Sequence, residues 1–428
     1  MLVFGLTKRL HTSGSCISNT LRTGRVARYI TQVTREKFFF NRKRELAKFK
    51  NAFSSDPELH VVLGPPSTGK TALIHEVTSK DDFNPLFINC REGQFDTPRR
   101  IYDSISSQFE PFFKKYTNHF KKLLERGEVS YMINDIHLKV KPFGGNPFRI
   151  TSNDVTKLLD NISNALPNWT CWSGYDIPPP ILVIDEANMF NQLGSSEKGK
   201  LLLKSILNWM VVNTKEKGRF HIVLTFSDSF FFNWIVNLLY IPHATPYVVG
   251  DLSKEEAEIY FEKHVLPQYE CKELEGKFDH VRKITGTRML IIDRHVKEYK
   301  NFDGKLEDSK FSIYRSEYNK LNRGLYPKKL RYPDKPNPPL WEGYYLIKTM
   351  EAIVKAENQG YILEDDLIKE IGSEQVDSLV DYNFLHRRPT KQYANDIDPT
   401  KEIILTAMNQ PSVRAMESHL SKVTQSKK

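Results

Sequence analysis

The N-terminal half of the chain alternates short apolar runs with helical patterns. The runs are His60–Leu63, Pro85–Gly93, Ile181–Ala187 and Arg219–Asp228. Short apolar runs bounded by polar or glycine-rich residues are typical of fully buried parallel strands. After the first run, Ala72, Leu73 and Val77 share one face of a predicted helix. The alternation predicts an α/β fold with a doubly wound parallel sheet over residues 36–250.

Residues 110–178 interrupt this alternation and form a predicted insertion. Within it, Glu128–Phe148 has an alternating stretch and a Gly-Gly-Asn-Pro turn, which favours a hairpin. Ser152–Leu166 begins with an N-cap serine and has the apolar stripe of a helix. The later apolar run Phe230–Ile241 is too short to span a membrane and contains two asparagines, so we predict a core helix and no membrane insertion.

Beyond residue 250 the pattern becomes helical. Residues 251–300 begin with the capping box Ser253–Glu256, which predicts a small helical lid. Residues 301–340 are polar, basic and rich in proline, which is typical of a linker. Residues 341–420 hold three helical stretches and then HRRPTKQYAND, which could form a β-wing. That order predicts a C-terminal winged-helix-like domain.

The first 35 residues differ in composition from the rest of the chain. They hold six basic residues and no acidic one, and they are rich in Ser and Thr. This composition is typical of a mitochondrial transit peptide, although a disordered basic tail would share it. The four cysteines of the chain have no metal-ligand or disulfide spacing, which fits a reducing compartment such as the mitochondrial matrix.

Charge alone gives little reason to expect nucleic acid as a partner. The net charge is +10, and the six basic residues at the N-terminus leave +4 for the rest of the chain. The predicted wing carries His386, Arg387, Arg388 and Lys391. The helix before it, Glu374–Leu385, carries three acidic residues and suits a phosphate-lined groove poorly. We therefore prefer protein docking or intramolecular packing for this unit, and nucleic acid is not favoured.

The octapeptide GPPSTGKT carries the strongest chemical signal in the chain. It consists of Gly64, Pro65, Pro66, Ser67, Thr68, Gly69, Lys70 and Thr71. This pattern, GxxxxGK[ST] between a strand and a helix, is a phosphate-binding loop. Its backbone N–H groups surround the phosphates at a helix N-terminus. We expect Lys70 to reach the β- and γ-phosphates and the Thr71 hydroxyl to bind Mg²⁺.

Two carboxylates end the apolar run ILVIDEA. Asp185 and Glu186 fall at the carboxyl end of a predicted buried strand, where ligands bind in open α/β sheets. We expect Asp185 to help position Mg²⁺ and Glu186 to act as the base that orients the attacking water. The alternative is an ordinary strand followed by an acidic helix N-cap.

A further run, RFHIVLTFSD, ends in polar residues that could contact the γ-phosphate. The candidates are Thr225, Ser227 and Asp228, and a helix N-cap would explain the same residues. Guanine specificity usually requires an [NT]KxD loop, and the sequence has none after a strand. The predicted cofactors are therefore ATP and Mg²⁺.

From Phe39 to Val296 the motifs resemble those of AAA+/STAND-type P-loop ATPases. The resemblance is to the archaeal-type ATPase family that is related to replication-initiator ATPases. The motifs are FFNRKREL, GPPSTGKT, ILVIDEA, LTFSDSFFFNWI, VVGDLSKEEAEIYF and ITGTRMLII. The resemblance implies a P-loop NTPase sheet followed by a helical lid and, in many such ATPases, a winged-helix-like domain.

The resemblance also implies roles for individual residues. Arg42 and Glu45 match an entry box that packs near the adenine, and Ser227 or Asp228 matches the first γ-phosphate sensor. Arg288 falls near the nucleotide-sensing position of the lid, although GTR departs from the family's frequent Gly-Gly pattern and a core-edge arginine would fit equally. The candidates for an arginine finger supplied to a neighbouring subunit are Arg91, Arg219 and Arg294, and the sequence does not rank them.

The sequence thus predicts a mitochondrial ATPase that couples Mg·ATP binding and hydrolysis to a conformational change acting on a macromolecule. A protein partner is preferred, and a homo-oligomer is compatible with the resemblance. Three alternatives remain open: a slow nucleotide-regulated switch or scaffold, a DNA-associated ATPase of mitochondrial genome maintenance, and a component of the mitochondrial ribosome or its assembly.

Overall fold

The computed structural model describes residue 40 and residues 42–426, apart from 80–81, 131–149, 176, 230–243, 331–337, 390–395 and 398–401. Apart from Phe40, all of these residues belong to one unit, Asn41–Lys428. The predicted transit peptide, most of the predicted hairpin and the predicted core helix Phe230–Ile241 lie outside the described residues.

Five parallel strands form the central sheet. They are Leu59–Leu63 (β1), Asn84–Asn89 (β2), Pro180–Asp185 (β3), His221–Phe226 (β4) and Ala244–Val248 (β5). Their order in the sheet is β2-β3-β4-β1-β5, so β4 separates the strand before the phosphate loop from the strand that ends in Asp185. β1, β3 and β4 are buried along their whole length, which explains why they appear in the sequence as continuous apolar runs.

The strand register brings the carboxyl ends of the strands to one edge of the sheet. Leu63 pairs with Phe226 across β1 and β4, and Asn89 pairs with Asp185 across β2 and β3. Residues that follow these strands therefore meet at the same edge, which is where ligands bind in sheets of this kind.

Different helices cover the two faces of the sheet. The core helices are Lys43–Phe53 (α1), Lys70–Thr78 (α2), Pro98–Lys115 (α3), Thr117–Glu125 (α4), Ser152–Ala165 (α5), Trp169–Trp172 (α6), Phe190–Gly194 (α7) and Glu197–Val211 (α8). On one face, Val61 and Leu63 of β1 share a core with α3, α4, α5 and α8. On the other face, the ring of Phe53 in α1 lies 5.1 Å from that of His60.

Most predicted elements of the core are present, and their buried faces differ in detail. In α5 the predicted apolar stripe is buried as expected. In α2 the buried face contains Leu73, Ile74 and Val77, whereas Ala72 is exposed, contrary to the prediction. The larger Ile74 side chain takes the buried position that the sequence reading gave to Ala72.

A helical segment follows the sheet, as predicted for the lid. It contains Lys254–Tyr260 (α9), Leu266–Tyr269 (α10), Phe278–Thr285 (α11) and Met289–Asn301 (α12), and a π-helical turn at Phe261–Val265 joins α9 to α10. The capping box of α9 is present, because Ser253 Oγ accepts from Glu256 N and Glu256 Oε2 accepts from Ser253 N, each at 3.2 Å.

The C-terminal unit combines five helices with a small antiparallel sheet. The helices are Ser312–Gly324 (α13), Gly343–Lys355 (α14), Glu364–Ile371 (α15), Ser373–Asp381 (α16) and Gln410–Ser426 (α17). The strands are Ile362–Leu363 (β6), Leu385–Arg388 (β7) and Ile404–Ala407 (β8), in the order β6-β8-β7. From α14 to β8 the elements follow the order helix, strand, helix, helix, strand, strand.

Part of the segment that we predicted to be a linker is instead a helix of this C-terminal core. Leu321 of α13 is buried, and the Tyr314 hydroxyl donates to Ser418 Oγ of α17 at 2.8 Å. The Tyr318 ring stacks on His419 with centroids 4.1 Å apart. The polar composition of residues 301–340 concealed a helix that packs through the half-buried Tyr314 and Tyr318 and the buried Leu321.

Candidate functional site

The phosphate loop joins β1 to α2 in a backbone conformation that requires glycine. Gly64 and Gly69 have φ angles of +156° and +90°. A Cβ atom on Gly64 would lie 2.2 Å from the carbonyl oxygen of Val249, which a real side chain could not tolerate. The loop therefore passes directly against the end of β5, and α2 begins at Lys70 with its N-terminus facing the loop.

Lys70 lies inside the loop and is 5% exposed. Its Nζ donates to the carbonyl oxygens of Gly64 at 2.9 Å and Pro65 at 3.0 Å. Burial lowers the pKa of this ammonium to about 8, against the opposing influence of the Glu186 carboxylate. A buried ammonium beside a helix N-terminus suits the phosphates of a nucleotide, because an anion there would restore the charged form of Lys70.

The side chains of Thr71, Asp185 and Thr225 meet beside the loop. Thr71 Oγ1 donates to Asp185 Oδ1 at 2.8 Å, and the Thr225 hydroxyl donates to the same oxygen. A hydroxyl and a carboxylate are the hard oxygen ligands that Mg²⁺ prefers, so these residues fit the predicted metal site. Among the described residues there is no cluster of three or more His, Cys, Asp or Glu side chains that could hold a metal ion.

Glu186 has a left-handed backbone conformation, with φ of +54°, directly after β3. Its carboxylate accepts from Ser227 Oγ at 3.0 Å and forms an ion pair with Arg91. Its backbone N–H donates to Thr225 Oγ1 at 3.1 Å. The ion pair raises the pKa of Arg91. The carboxylate is therefore fixed by residues that follow β2 and β4.

The structure separates the candidates for the γ-phosphate sensor. Ser227 donates to Glu186, whereas Asp228 is half-buried next to it and, as a carboxylate, cannot donate. Thr225, which the sequence analysis considered but did not prefer, contacts both carboxylate residues.

The three candidates for an arginine finger each have a partner within the chain. Arg91 forms an ion pair with Glu186, Arg219 donates to Asn213 at 3.1 Å and Arg294 donates to Glu298 at 2.7 Å.

Arg42 supports the phosphate loop from behind. It is 2% exposed, and its guanidinium donates to the carbonyl oxygens of Thr68 at 2.7 Å and Gly250 at 2.9 Å. Glu45 accepts from the same guanidinium at 3.1 Å. Both members of the entry box are thus buried at the base of the loop, where they join it to the segment after β5.

Arg288 connects the lid, the phosphate loop and the C-terminal unit. Its guanidinium donates to Asp251 Oδ1 at 2.6 Å, to the Pro66 carbonyl at 3.2 Å and to the Met408 carbonyl at 2.9 Å. The guanidinium contacts the loop itself and is 5% exposed, which fits both the nucleotide-sensing position that the resemblance implied and a core-edge arginine.

His386, Arg387 and Arg388 of the predicted wing are buried, which is consistent with the intramolecular packing that the sequence analysis preferred over DNA contact. Arg387 donates to Glu364 at 2.6 Å, and Arg388 forms two hydrogen bonds with Asp396 at 3.0 and 2.9 Å. Glu364 lies in α15, 23 residues before Arg387, whereas Asp396 ends the predicted wing itself, eight residues after Arg388. Lys391 lies outside the described residues.

The sequence analysis assigned His386 to the wing and did not predict its position near the phosphate loop. It is 1% exposed, and neither ring nitrogen has a hydrogen-bond partner among the described residues. Burial and the positive charges of Arg388, Lys70 and Arg288 hold its pKa well below the usual value. β7 therefore lies close to the phosphate loop. No local motif could indicate this, since it results from the packing of the C-terminal unit on the core.

No described helix has the combined length and apolar character that crossing a bilayer requires.

Comparison with known proteins places the chain in a family. Residues 39–257 match the model of an ATPase domain found predominantly in Archaea. An uncharacterised ATP-binding protein of Methanocaldococcus jannaschii is 26% identical over 348 residues, which cover 78% of this chain and 88% of that protein. A second such protein, from Pyrococcus abyssi, is 26% identical over 237 residues, 53% of this chain and 64% of that protein.

A solved structure has the same fold. The Walker-type ATPase of Pyrococcus abyssi aligns with a TM-score of 0.52 at 16% sequence identity, and the alignment covers 89% of this chain and 96% of that one. The phosphate loop, the carboxylates at the end of β3 and the lid all fall within or next to the matched residues. The chain therefore belongs to the family of P-loop ATPase domains found predominantly in Archaea.

Proposed function

We propose that this protein binds and hydrolyses ATP with Mg²⁺ and uses the reaction to change the arrangement of its lid and C-terminal unit. The observation that carries the proposal is the contact of Thr71, Asp185, Thr225 and Glu186 beside the buried Lys70. This arrangement provides a phosphate ligand, hard oxygen ligands for a divalent cation and a carboxylate for the attacking water.

In this proposal the loop binds the phosphates, and the two carboxylates serve the metal ion and the attacking water. Lys70 and the N-terminus of α2 hold the β- and γ-phosphates, and Thr71 and Asp185 hold Mg²⁺. An ion held by these two residues would neutralise charge that develops on the phosphates. Glu186 orients a water molecule and accepts its proton, and Ser227 fixes the carboxylate in position. Thr225 fixes both carboxylate residues to β4.

The contacts between the core and the C-terminal unit offer a route from nucleotide state to domain arrangement. Ser229, two residues after Ser227, accepts from the backbone N–H of Arg387 at 2.9 Å. Asp396 accepts from the backbone N–H of Asp251 at 3.0 Å. Movement of the β4 end or the loop would act directly on β7 and its neighbours, which is how a local change becomes a rigid-body movement.

The N-terminal composition motivates the cellular setting, a mitochondrial matrix protein with a macromolecular partner. Import of a fluorescent fusion into mitochondria, and loss of import without residues 1–35, would test this part. A homo-oligomer belongs to the same proposal, and the mass of the purified chain in solution would test it.

The test of the reaction is ATP turnover by the chain lacking residues 1–35. Lys70→Ala should abolish nucleotide binding, whereas Glu186→Gln should bind ATP but lose at least about 100-fold in turnover, the usual magnitude for a general base. Lys114→Ala, an exposed lysine far from the loop in sequence, is the control and should behave as wild type. Turnover by Glu186→Gln at the wild-type rate would refute the assignment of the base.

A second candidate function is a slow nucleotide-regulated switch, and the Arg91–Glu186 ion pair favours it. The guanidinium occupies Oε1 of the carboxylate, so the pair would have to open before that oxygen could accept a proton from the attacking water. Basal turnover near zero that rises on addition of a partner would support the switch. Steady turnover by the isolated chain would exclude it.

A further inference from the structure

Helix α13 exposes two arginines that have no partner. Among the arginines that the structure describes, only Arg315 and Arg323 have neither a side-chain hydrogen bond nor an ion pair with another residue. Both are exposed. A guanidinium presents five N–H donors in a planar fork that fits carboxylate or phosphate oxygens. The guanidinium groups of Arg315 and Arg323 are therefore available to bind an external anion, because no contact with a described residue uses them.

These arginines lie on one continuous face. Successive residues of an α-helix are rotated by about 100°, so Arg315, Asn319, Asn322 and Arg323 fall within about a third of the helix circumference. All four are exposed. The turn after the helix adds Lys328 and Lys329, which are exposed and have no ion pair in the described chain. Tyr326 is 58% exposed, with Lys329 Nζ 5.1 Å from the centre of its ring. We call this set the α13 basic face.

No acidic side chain neutralises the α13 basic face from within α13. The one acidic residue of the helix, Glu317, points away from it on helical geometry and accepts from Asn409 Nδ2 at 2.9 Å.

The α13 basic face is also held rigidly by the C-terminal core. The Trp341 indole donates to the Gly324 carbonyl at 3.0 Å, and a Cβ on Gly324 would lie 2.6 Å from the Phe384 ring, so the end of the helix is packed tightly on the C-terminal core.

We infer that the α13 basic face binds the phosphodiester backbone of a nucleic acid. Arg, Lys, Asn and Tyr are the side chains that make most phosphate and sugar contacts in such complexes. The two arginines are eight residues apart, about 12 Å along the helix, which is within the span of a few consecutive phosphates. An anionic membrane is a poorer fit, because the side chains between the arginines are polar and offer no apolar group for insertion.

This surface is separate from the predicted wing, whose described basic residues are buried, and it goes beyond the proposed ATPase function. Since its contacts are to phosphates, the surface should bind without preference for base sequence. Nucleic-acid binding by this surface should also not require bound ATP, so the Lys70→Ala variant is expected to retain nucleic-acid binding. Failure of the ATPase proposal and failure of this inference are therefore distinguishable.

The test is fluorescence anisotropy of the full-length chain with labelled single-stranded and duplex DNA and RNA of matched length, at a series of salt concentrations. Arg315→Gln/Arg323→Gln should weaken binding of whichever of these nucleic acids the wild type binds by about tenfold or more, and should reduce the slope of log K against log salt by about 2. Arg99→Gln/Arg100→Gln removes the same two charges from exposed arginines that already pair with aspartates, and it should have little effect.

Equal binding by wild type and by Arg315→Gln/Arg323→Gln would overturn the inference, provided that circular dichroism shows both to be folded. A second result would also overturn it. This is binding to polyglutamate or to anionic phospholipid vesicles that depends on the two arginines, when no nucleic acid shows arginine-dependent binding. The full-length chain keeps its basic N-terminus in every variant, so that contribution cancels in the comparison.

Discussion

At the scale of single residues, Glu186 has two side-chain partners that treat its carboxylate differently. Ser227 donates a neutral hydrogen bond, which orients the carboxylate and leaves its charge available. Arg91 neutralises that charge, yet its side chain is 64% exposed and is the first residue of the pair that a partner molecule could reach. Ser227 therefore positions the Glu186 carboxylate, while Arg91 restrains its use as a base.

The Arg91→Ala variant should release this restraint. A partly exposed ion pair contributes about 1 kcal/mol or less, and 1.4 kcal/mol corresponds to a tenfold rate, so we expect basal ATP turnover to rise by up to about fivefold. Arg91→Lys keeps the positive charge and should stay nearer to wild type. Steady-state kcat measures the effect. An unchanged or lower kcat in Arg91→Ala would show that the pair does not restrain the base.

His295 makes the stability of the protein depend on pH. Burial lowers its pKa to about 4, and its ring packs edge-on against Phe311. In the unfolded chain the pKa returns to about 6.5, so the folded state binds fewer protons. The contribution of this residue is therefore fully present above about pH 6.5 and is lost as the pH falls towards 4.

For this residue we expect the free energy of unfolding to fall by about 1 kcal/mol between pH 7 and pH 5.5. His295→Gln removes the titrating group, so its unfolding free energy should fall by about 1 kcal/mol less than that of the wild type over the same interval. Urea unfolding at both pH values gives the difference. Equal pH dependence in the two proteins would contradict the buried neutral state of His295.

At the scale of elements, the sequence predicted the strands, loops and helix starts that are determined by residues adjacent in the chain. The buried strands appear as apolar runs, the phosphate loop as a spacing of glycines and Lys70, and the start of α9 as Ser253 and Glu256. Helix α13 was missed, because its packing surface uses Tyr314 and Tyr318, which do not stand out in a polar segment. Its partner, α17, is about 100 residues further along the chain.

The capping box of α9 allows a quantitative test at this scale. Ser253→Ala leaves the N–H of Glu256 without its acceptor, and the loss of an N-cap costs about 1 kcal/mol. We expect the unfolding free energy to fall by that amount. Ser107→Ala, at an exposed position in the interior of α3, should be near neutral. A neutral effect of Ser253→Ala would indicate that the start of the lid frays in the native protein.

At the scale of the whole molecule, the C-terminal unit approaches the nucleotide site through contacts that join distant parts of the chain. Arg288 joins Pro66 to Met408, and Asp396 joins Arg388 to the segment after β5. Arg288 is 222 residues from Pro66 and 120 from Met408, and Asp251 is 145 residues from Asp396, whereas Arg388 and Asp396 are only eight residues apart. This is why the sequence predicted the phosphate loop and the carboxylates but could not show that Arg288 and His386 lie beside them.

Gly250→Ala tests whether this docking matters for the whole molecule. A Cβ on Gly250 would lie 2.2 Å from Asp396 Oδ1, so the carboxylate must leave Arg388 and the N–H of Asp251. Overpacking of this kind costs about 1–3 kcal/mol, and we expect faster limited proteolysis between the lid and β8. Gly174→Ala, where a Cβ would meet nothing within 4 Å, is the control. Equal proteolysis of Gly250→Ala and wild type would show that the Asp396 contact does not hold the unit in place.

The central claim, that the loop and Glu186 form a hydrolytic site, is tested most directly by the nucleotide that the protein retains. The chain lacking residues 1–35 would be incubated with Mg·ATP, separated from free nucleotide by rapid filtration and analysed for bound ATP and ADP. We predict ADP on the wild type, ATP on Glu186→Gln and no nucleotide on Lys70→Ala. ADP on Glu186→Gln in the same proportion as on the wild type would contradict the account.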